Sequence, residues 1–374
     1  MGQDDHIADG NPPLPIARTL IWLGCAGAGL GSMRLVQLRP EWVERYYSRG
    51  VYPPVRRTLS WISGHLSFSL AEALILMLAA YLLWSVGKVV VSMARGRTRW
   101  WRALASAGLL LVRVSSAVLI AFLLLWGLNH ARQPLSVSAK LPEVADKRSA
   151  LKLLVGSLAQ DLMVDPRERG GGAPGFAVFS ATGDPDPRIR TALHALTPEV
   201  PSMEGEEPAL RRIGAWPIFA RLGISGIFSP FTGEPHFNGG TPACQWPFEA
   251  LHEIAHQRGF AREDEANFLA WWLCISSGNE HYRYSGNLAA LSLALGAIWR
   301  DDPEFAADFV DSLPGHVRSD MRAVQEFWQR YQSPVRAVGS KLNDAYLKSQ
   351  GQSHGVRSYG RMLDLMLSFQ ARGR

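Results

Sequence analysis

An α+β protein is what the sequence predicts: three membrane-spanning helices at the N-terminus, then a mainly helical domain with a small sheet. Three observations lead there. All the long apolar stretches lie before residue 130, and after Asn129 no apolar run is long enough to span. Two short strand-like runs, Ile224–Phe228 and Glu234–Asn238, flank a Pro-Phe-Thr-Gly turn. Beyond Pro247 almost everything reads as helix, so strands and helices are segregated rather than alternating. The 374 residues are therefore divided into an anchor, 1–130, and a domain, 131–374. With 47% of residues in the AVILMFWYC class and only 19% charged, a disordered chain is excluded. Three cysteines exclude a disulfide scaffold. The net charge of +6 suits membrane topology rather than a nucleic-acid footprint, so the bilayer is the expected partner and nucleic acid is not.

The spans are expected at about 16–38, 67–91 and 103–128, each long enough for a hydrocarbon core of about 30 Å. Arg113, inside the third, should face the other spans or pair with a carboxylate such as Glu72, because a lipid-facing charge is costly. Gly27 and Gly31 form a GxxxG spacing that lets helices approach closely. A cleaved signal peptide is not expected: residues 1–15 lack a basic region, and the sixth position lacks the Ser or Thr of a myristoylation site. The loop from Lys88 to Arg102 carries five basic residues and no acid, which directs it to the cytoplasm and the C-terminal domain to the other side. The loop after the first span, with Arg39, Arg45, Arg49, Arg56 and Arg57, pulls the other way; the shorter and denser loop is preferred. In the domain, Ala150–Met163 reads as an amphipathic helix, and the stretches beginning at Arg167 and Gly183 read as loops.

The chemistry lies in His252-Glu-Ile-Ala-His256, an HExxH pattern. Two histidines four apart share one helix face, so both imidazoles can reach one Zn²⁺. Glu253 between them is placed to deprotonate a water that the metal activates. Pro247 suits the start of the helix and Gly259 its end, while Phe248, Leu251 and Ala255 form its apolar face. The competing reading is a surface helix that carries two His and a Glu by chance. A third ligand is required. The thermolysin-like position is Ser276 and the metzincin position is Arg262, so both templates fail. Glu263 and Glu265 remain, and the Glu-x-x-Ala-Asn register names Glu263 as the ligand, with Asn267 supporting it or a His ring nitrogen. Glu265 lies about 200° round the helix from Glu263, so both cannot bind.

Ile224-Ser-Gly-Ile-Phe-Ser-Pro-Phe-Thr-Gly-Glu-Pro, then Leu251-His-Glu-Ile-Ala-His-Gln-Arg-Gly-Phe-Ala-Arg-Glu-Asp-Glu-Ala-Asn-Phe, then Tyr284-Ser-Gly occur in this order. Together they resemble the bacterial membrane proteins known as domain-of-unknown-function family 3810, over nearly the whole chain, spans included. The resemblance implies a zinc metallopeptidase-like domain on a membrane anchor and assigns no substrate. One departure is Pro235-His-Phe-Asn, where Ala-x-Val-Asn is expected after Glu234; the metal ligands are untouched.

Weaker candidates complete the reading. Either strand could form the wall of a cleft and pair with an extended substrate. His281, Tyr282 or Tyr284 could stabilise an oxyanion, against the commoner role of aromatics in packing, and Glu280 is a fallback ligand. Gly355–Gly360 could shape the cleft. Cys244 and Cys274 could pair outside the cytoplasm, although buried thiols are the commoner state. The expected protein is a multi-pass, membrane-anchored zinc hydrolase with a zincin-like domain outside the cytoplasm, acting on a peptide or protein. Its expected site is Glu253 as base and His252, His256 and Glu263 as ligands. The alternative is a non-catalytic binding or regulatory protein that keeps the zinc fold.

Overall fold

The computed structural model describes residues 15–96, 99–169, 186–333 and 359–372. Residues 1–14, most of the stretches beginning at Arg167 and Gly183, and Gly355 to Ser358 lie outside the described residues.

Among the described residues three helices are apolar and long enough to cross a membrane: α1 (Ile16–Val36), α3 (Leu70–Ala94) and α4 (Trp100–Leu125). The boundaries follow local chemistry. The Ser69 hydroxyl accepts from the Glu72 amide, so the second span starts at Leu70 rather than Ser67. The third ends three residues early, because Gly127–Ala131 tightens into a 3₁₀ turn. Two expectations about the spans are corrected. Arg113 does not pair with Glu72: its Nε donates to the Leu109 carbonyl one turn back, while the Glu72 carboxylate accepts from the Gly214 and Ala215 amides. Gly27 and Gly31 face open space, and it is Gly29 that meets the third span, where a Cβ would lie 3.1 Å from Leu123.

The segment between α1 and α3 is helical rather than a loop. A turn at Pro40–Trp42 continues through a π-helical stretch, Val43–Val51, into α2 (Tyr52–Gly64). Pro53 and Pro54 stand near the start of α2, where a missing N–H costs nothing. Tyr52, Arg56 and Ser63 turn inward at roughly helical spacing and are buried against the C-terminal domain.

In that domain α5 (Lys147–Asp161) and α6 (Pro187–Leu196) bury Leu154, Val155, Leu158, Ile189 and Leu193. A three-stranded sheet follows: β1 (Arg211–Arg212), β2 (Gly226–Ser229) and β3 (Glu234–Phe237), in the order β1-β3-β2. β2 and β3 are antiparallel with Gly226 opposite Phe237, and a short helix, α7 (Trp216–Leu222), precedes β2. Next come α8 (Trp246–Gln257), α9 (Glu263–Ser276), α10 (Glu280–Asp301), α11 (Pro303–Ser312), α12 (Gly315–Arg330) and α13 (Tyr359–Arg372). α9 is buried along nearly its whole length between α8, α10, α6 and α13, which makes it the axis of the core. The fold is thus mostly helical with a small sheet.

Candidate metal centre

α8 starts at Trp246, with Pro247 in its first turn, and closes on Gly259 at φ +90. Leu251, Ile254 and Ala255 are fully buried and anchor one face on the core. His252 and His256 therefore emerge together on another face, their rings 4.6 Å apart and nearly perpendicular. The turn to α9 is short, and it delivers Glu263 to them. One Glu263 oxygen lies 3.4 Å from Nε2 of His252, and the other lies 3.6 Å from Nε2 of His256.

The donor set fits zinc. Two atoms each about 2.0–2.1 Å from a tetrahedral Zn²⁺ stand about 3.4 Å apart, and the three ligand atoms here all lie within 4.8 Å of one another. The tautomer of His256 also fits. Its Nδ1 donates to the Phe260 carbonyl at 2.7 Å, which leaves the Nε2 lone pair facing Glu263. Among the described residues this is the one cluster of three His, Cys, Asp or Glu side chains with that closeness.

Electrostatics tie the group together. Burial opposes a charge on His252, but the hydrogen bond to Glu263 and the charges of Glu253 and Glu263 outweigh it, raising this ring to about 8. Burial dominates at His256 and pushes it down to about 4. Burial opposes the charge on Glu263 as well, yet the two histidines hold the carboxyl down at about 2. Burial lifts Glu253 to about 8.

Glu253 is held by the sheet. It lies against β2, where a Cβ on Gly226 would come within 2.5 Å of its Oε1 and 2.8 Å of its Cγ. Only glycine lets the strand approach so closely. β2 is an edge strand, whereas β3 is central and wholly buried; of the two expected strands, β2 is the one whose outer edge lies beside the cluster, with the Phe228 main chain bonded to Glu253.

The other candidates are placed elsewhere. Glu265 turns away, its Oε1 accepting from the Leu135 amide at 2.8 Å and from Arg262 at 2.9 Å. Tyr282 and Tyr284 donate to Asp186 and Asp320. Glu280 and His281 stand in the first turn of α10, outside the three-residue cluster. Asn267 is buried on α9 one turn after Glu263, and its polar contact favours a charge on His252. Cys244 and Cys274 are buried free thiols and do not pair.

Residues 47–367 match the family described as protein of unknown function (DUF3810). The chain belongs to that family. No curated protein and no solved structure matches it. The stretch matched by DUF3810 begins within the helical segment before α2, so it includes membrane-proximal residues that the sequence reading had left out of the site. Trp126, just past the third span, donates its indole N–H to the His256 carbonyl at 2.9 Å. The Tyr52 hydroxyl donates to the Gln257 carbonyl at 2.6 Å. Both satisfy the open end of α8. His130 is buried beside them; burial and the neighbouring His256 push it down to about 3, so a neutral ring borders the cluster. A Gly inside a strand and a His directly after an apolar span were the sequence signals for Gly226 and His130.

Proposed function

We propose that this protein is a membrane-anchored zinc hydrolase of the metallopeptidase type. The observation that carries the proposal is the convergence of His252, His256 and Glu263 beside a buried Glu253 that an edge strand holds in place. His252, His256 and Glu263 would hold the ion. A bound Zn²⁺ would supply Lewis-acid polarisation of a carbonyl and make a water more acidic. Glu253 would take a proton from that water and hand it to the leaving amine. The outer edge of β2 would bind an extended peptide by main-chain hydrogen bonds. Exposed Ile227 on that strand offers the peptide an apolar contact.

The three apolar helices support a multi-pass membrane location, and the acid-free basic loop between α3 and α4 supports an extracytoplasmic domain. Labelling of Arg95→Cys in intact cells by an impermeant maleimide would contradict that side. The activity is tested on full-length protein in detergent, with peptide libraries as substrate. Glu253→Gln should keep its zinc and lose hydrolysis, since an amide cannot accept the proton. Equal behaviour of wild type and variant on every peptide would favour the non-catalytic, zinc-holding reading instead.

A further inference from the structure

Beside the C-terminal end of α8 lies a second feature, which the proposed hydrolysis does not use. A cavity of about 340 Å³ is lined by four arginines, Arg49, Arg56, Arg57 and Arg258, with Ser48 and a single carboxylate, Glu204, among the other residues. Arg49 is paired with Glu44 at 2.7 Å. Arg56 and Arg258 are different. They are only 6% and 2% exposed, and they converge on the same backbone carbonyl, that of Glu204, at 2.8 and 3.1 Å. Their remaining bonds go to main-chain oxygens, such as Arg258 to Glu206 at 2.8 Å. Nη1 of Arg56 and Nε of Arg258 have no hydrogen-bond partner among the described residues. These two buried guanidinium groups are hydrogen-bonded to neutral carbonyls, and the one carboxylate of the lining, Glu204, acts on Arg56 only through its charge. That leaves more positive than negative charge in the cavity, which folded proteins ordinarily neutralise.

The cavity lies beside the C-terminal end of the third apolar helix. Tyr47, next to Ser48, donates its hydroxyl to the Leu124 carbonyl in the last turn of the third span. Ser48 itself donates to Asn129 just beyond that span. Trp42, Tyr46 and Val51, on the same segment, are 62%, 61% and 53% exposed, which is the amphipathic surface that suits the headgroup layer.

We infer that this arginine-lined cavity binds a phosphate group, that of an anionic lipid headgroup or of a free phosphate, at the foot of the candidate metal centre. Arginine's fork of donors matches phosphate oxygens bidentately. Arg258 directly follows α8, and Tyr52, which also lines the cavity, bonds the last residue of that helix. An occupant would therefore brace the helix carrying His252 and His256.

The test is thermal unfolding of full-length protein in neutral detergent, alone and with phosphatidylglycerol, phosphatidylcholine or inorganic phosphate. Phosphatidylglycerol at saturation should raise the melting temperature by about 5 °C or more, with no comparable rise from phosphatidylcholine. An equal rise from inorganic phosphate identifies free phosphate as the source; a rise from phosphatidylglycerol alone identifies the lipid. Arg56→Met should abolish the shift, and exposed Arg57→Ser should reduce it even where the buried variant fails to fold. A wild type indifferent to both anions, or a shift that persists in full in the arginine variants, overturns the site.

Discussion

Exchanging the two neighbouring acids of α9, one at a time, separates a proposed metal ligand from a structural carboxylate. Glu263 stands 3.4 and 3.6 Å from the two histidines, whereas Glu265 is spent on the Leu135 amide and Arg262. In Glu263→Ala the protein donors fall from three to two. Zinc affinity should then drop by about a thousandfold or more, beyond the tenfold to hundredfold typical of groups that only support a ligand. Glu265→Ala should lose at most about a hundredfold in zinc affinity but unfold more readily. Its carboxylate is 4% exposed, and a hydrogen bond to a charged group is worth about 1.5–3 kcal/mol. Arg262, at 20% exposure, can recover some hydration, which puts the expected cost toward the lower end. Zinc is titrated against a competing chelator in full-length protein, and stability is read by thermal unfolding in chelator. Glu265→Ala losing more zinc than Glu263→Ala would refute the assignment, as would two wild-type affinities.

Gly226→Ala forces a Cβ to within 2.5 Å of the Glu253 carboxylate, so strand or side chain must move. Zinc content should be unchanged, while turnover of any peptide the wild type cleaves falls about 100-fold, the cost of displacing a catalytic group by about 1 Å. Cys244 and Cys274 are 4% and 0% exposed, and burial pushes both thiols up, Cys244 to about 12. Both should resist a thiol reagent in the folded protein and react after denaturation; a disulfide found by mass spectrometry would contradict the structure.

The HExxH helix was legible because its signals are local. Pro247, Gly259 and the apolar face set its limits, and the four-residue spacing sets the ligand face. The placement of Glu263 next to the two histidines was legible as far as a register pattern could take it; that Glu265 is engaged elsewhere shows only in the fold, where Leu135 supplies an amide from 130 residues away. The segment from Pro40 to Gly64 was not legible. Its arginines read as a loop flanking a span, yet Arg56 is buried, and the pairing that draws the segment in comes from Gln257 and Glu204. The fate of Glu72 and Arg113 was hidden for the same reason. A carboxylate near a span end could cap a neighbouring turn or pair within the membrane, and only tertiary structure chooses between the two.

The division at residue 130 is a boundary of composition, and the contacts across it predict that the two parts do not separate. Arg132 is 2% exposed and bonds Glu44 through Nε and Nη2, both at 2.9 Å, with Nη1 on the Gly259 carbonyl. Deleting residues 1–130 removes that carboxylate and opens the guanidinium to water, so the pair and its burial are lost together. The same deletion removes Trp126 and Tyr52, so the His256 and Gln257 carbonyls at the end of α8 lose their donors. Water can replace those donors, so each lost bond costs about 0.5–1.5 kcal/mol net. The deletion also strips the apolar contact of Tyr52 and Trp126 from Ala261, and a typical domain is held by only about 5–15 kcal/mol, so losing the whole interface is a large fraction of that stability. A 131–374 fragment should therefore be unfolded or aggregated and bind zinc only weakly, while full-length protein in detergent melts cooperatively. Circular dichroism and zinc content of both decide it. A fragment that folds and retains one tightly held zinc would show that the spans merely tether the site and do not help to build it.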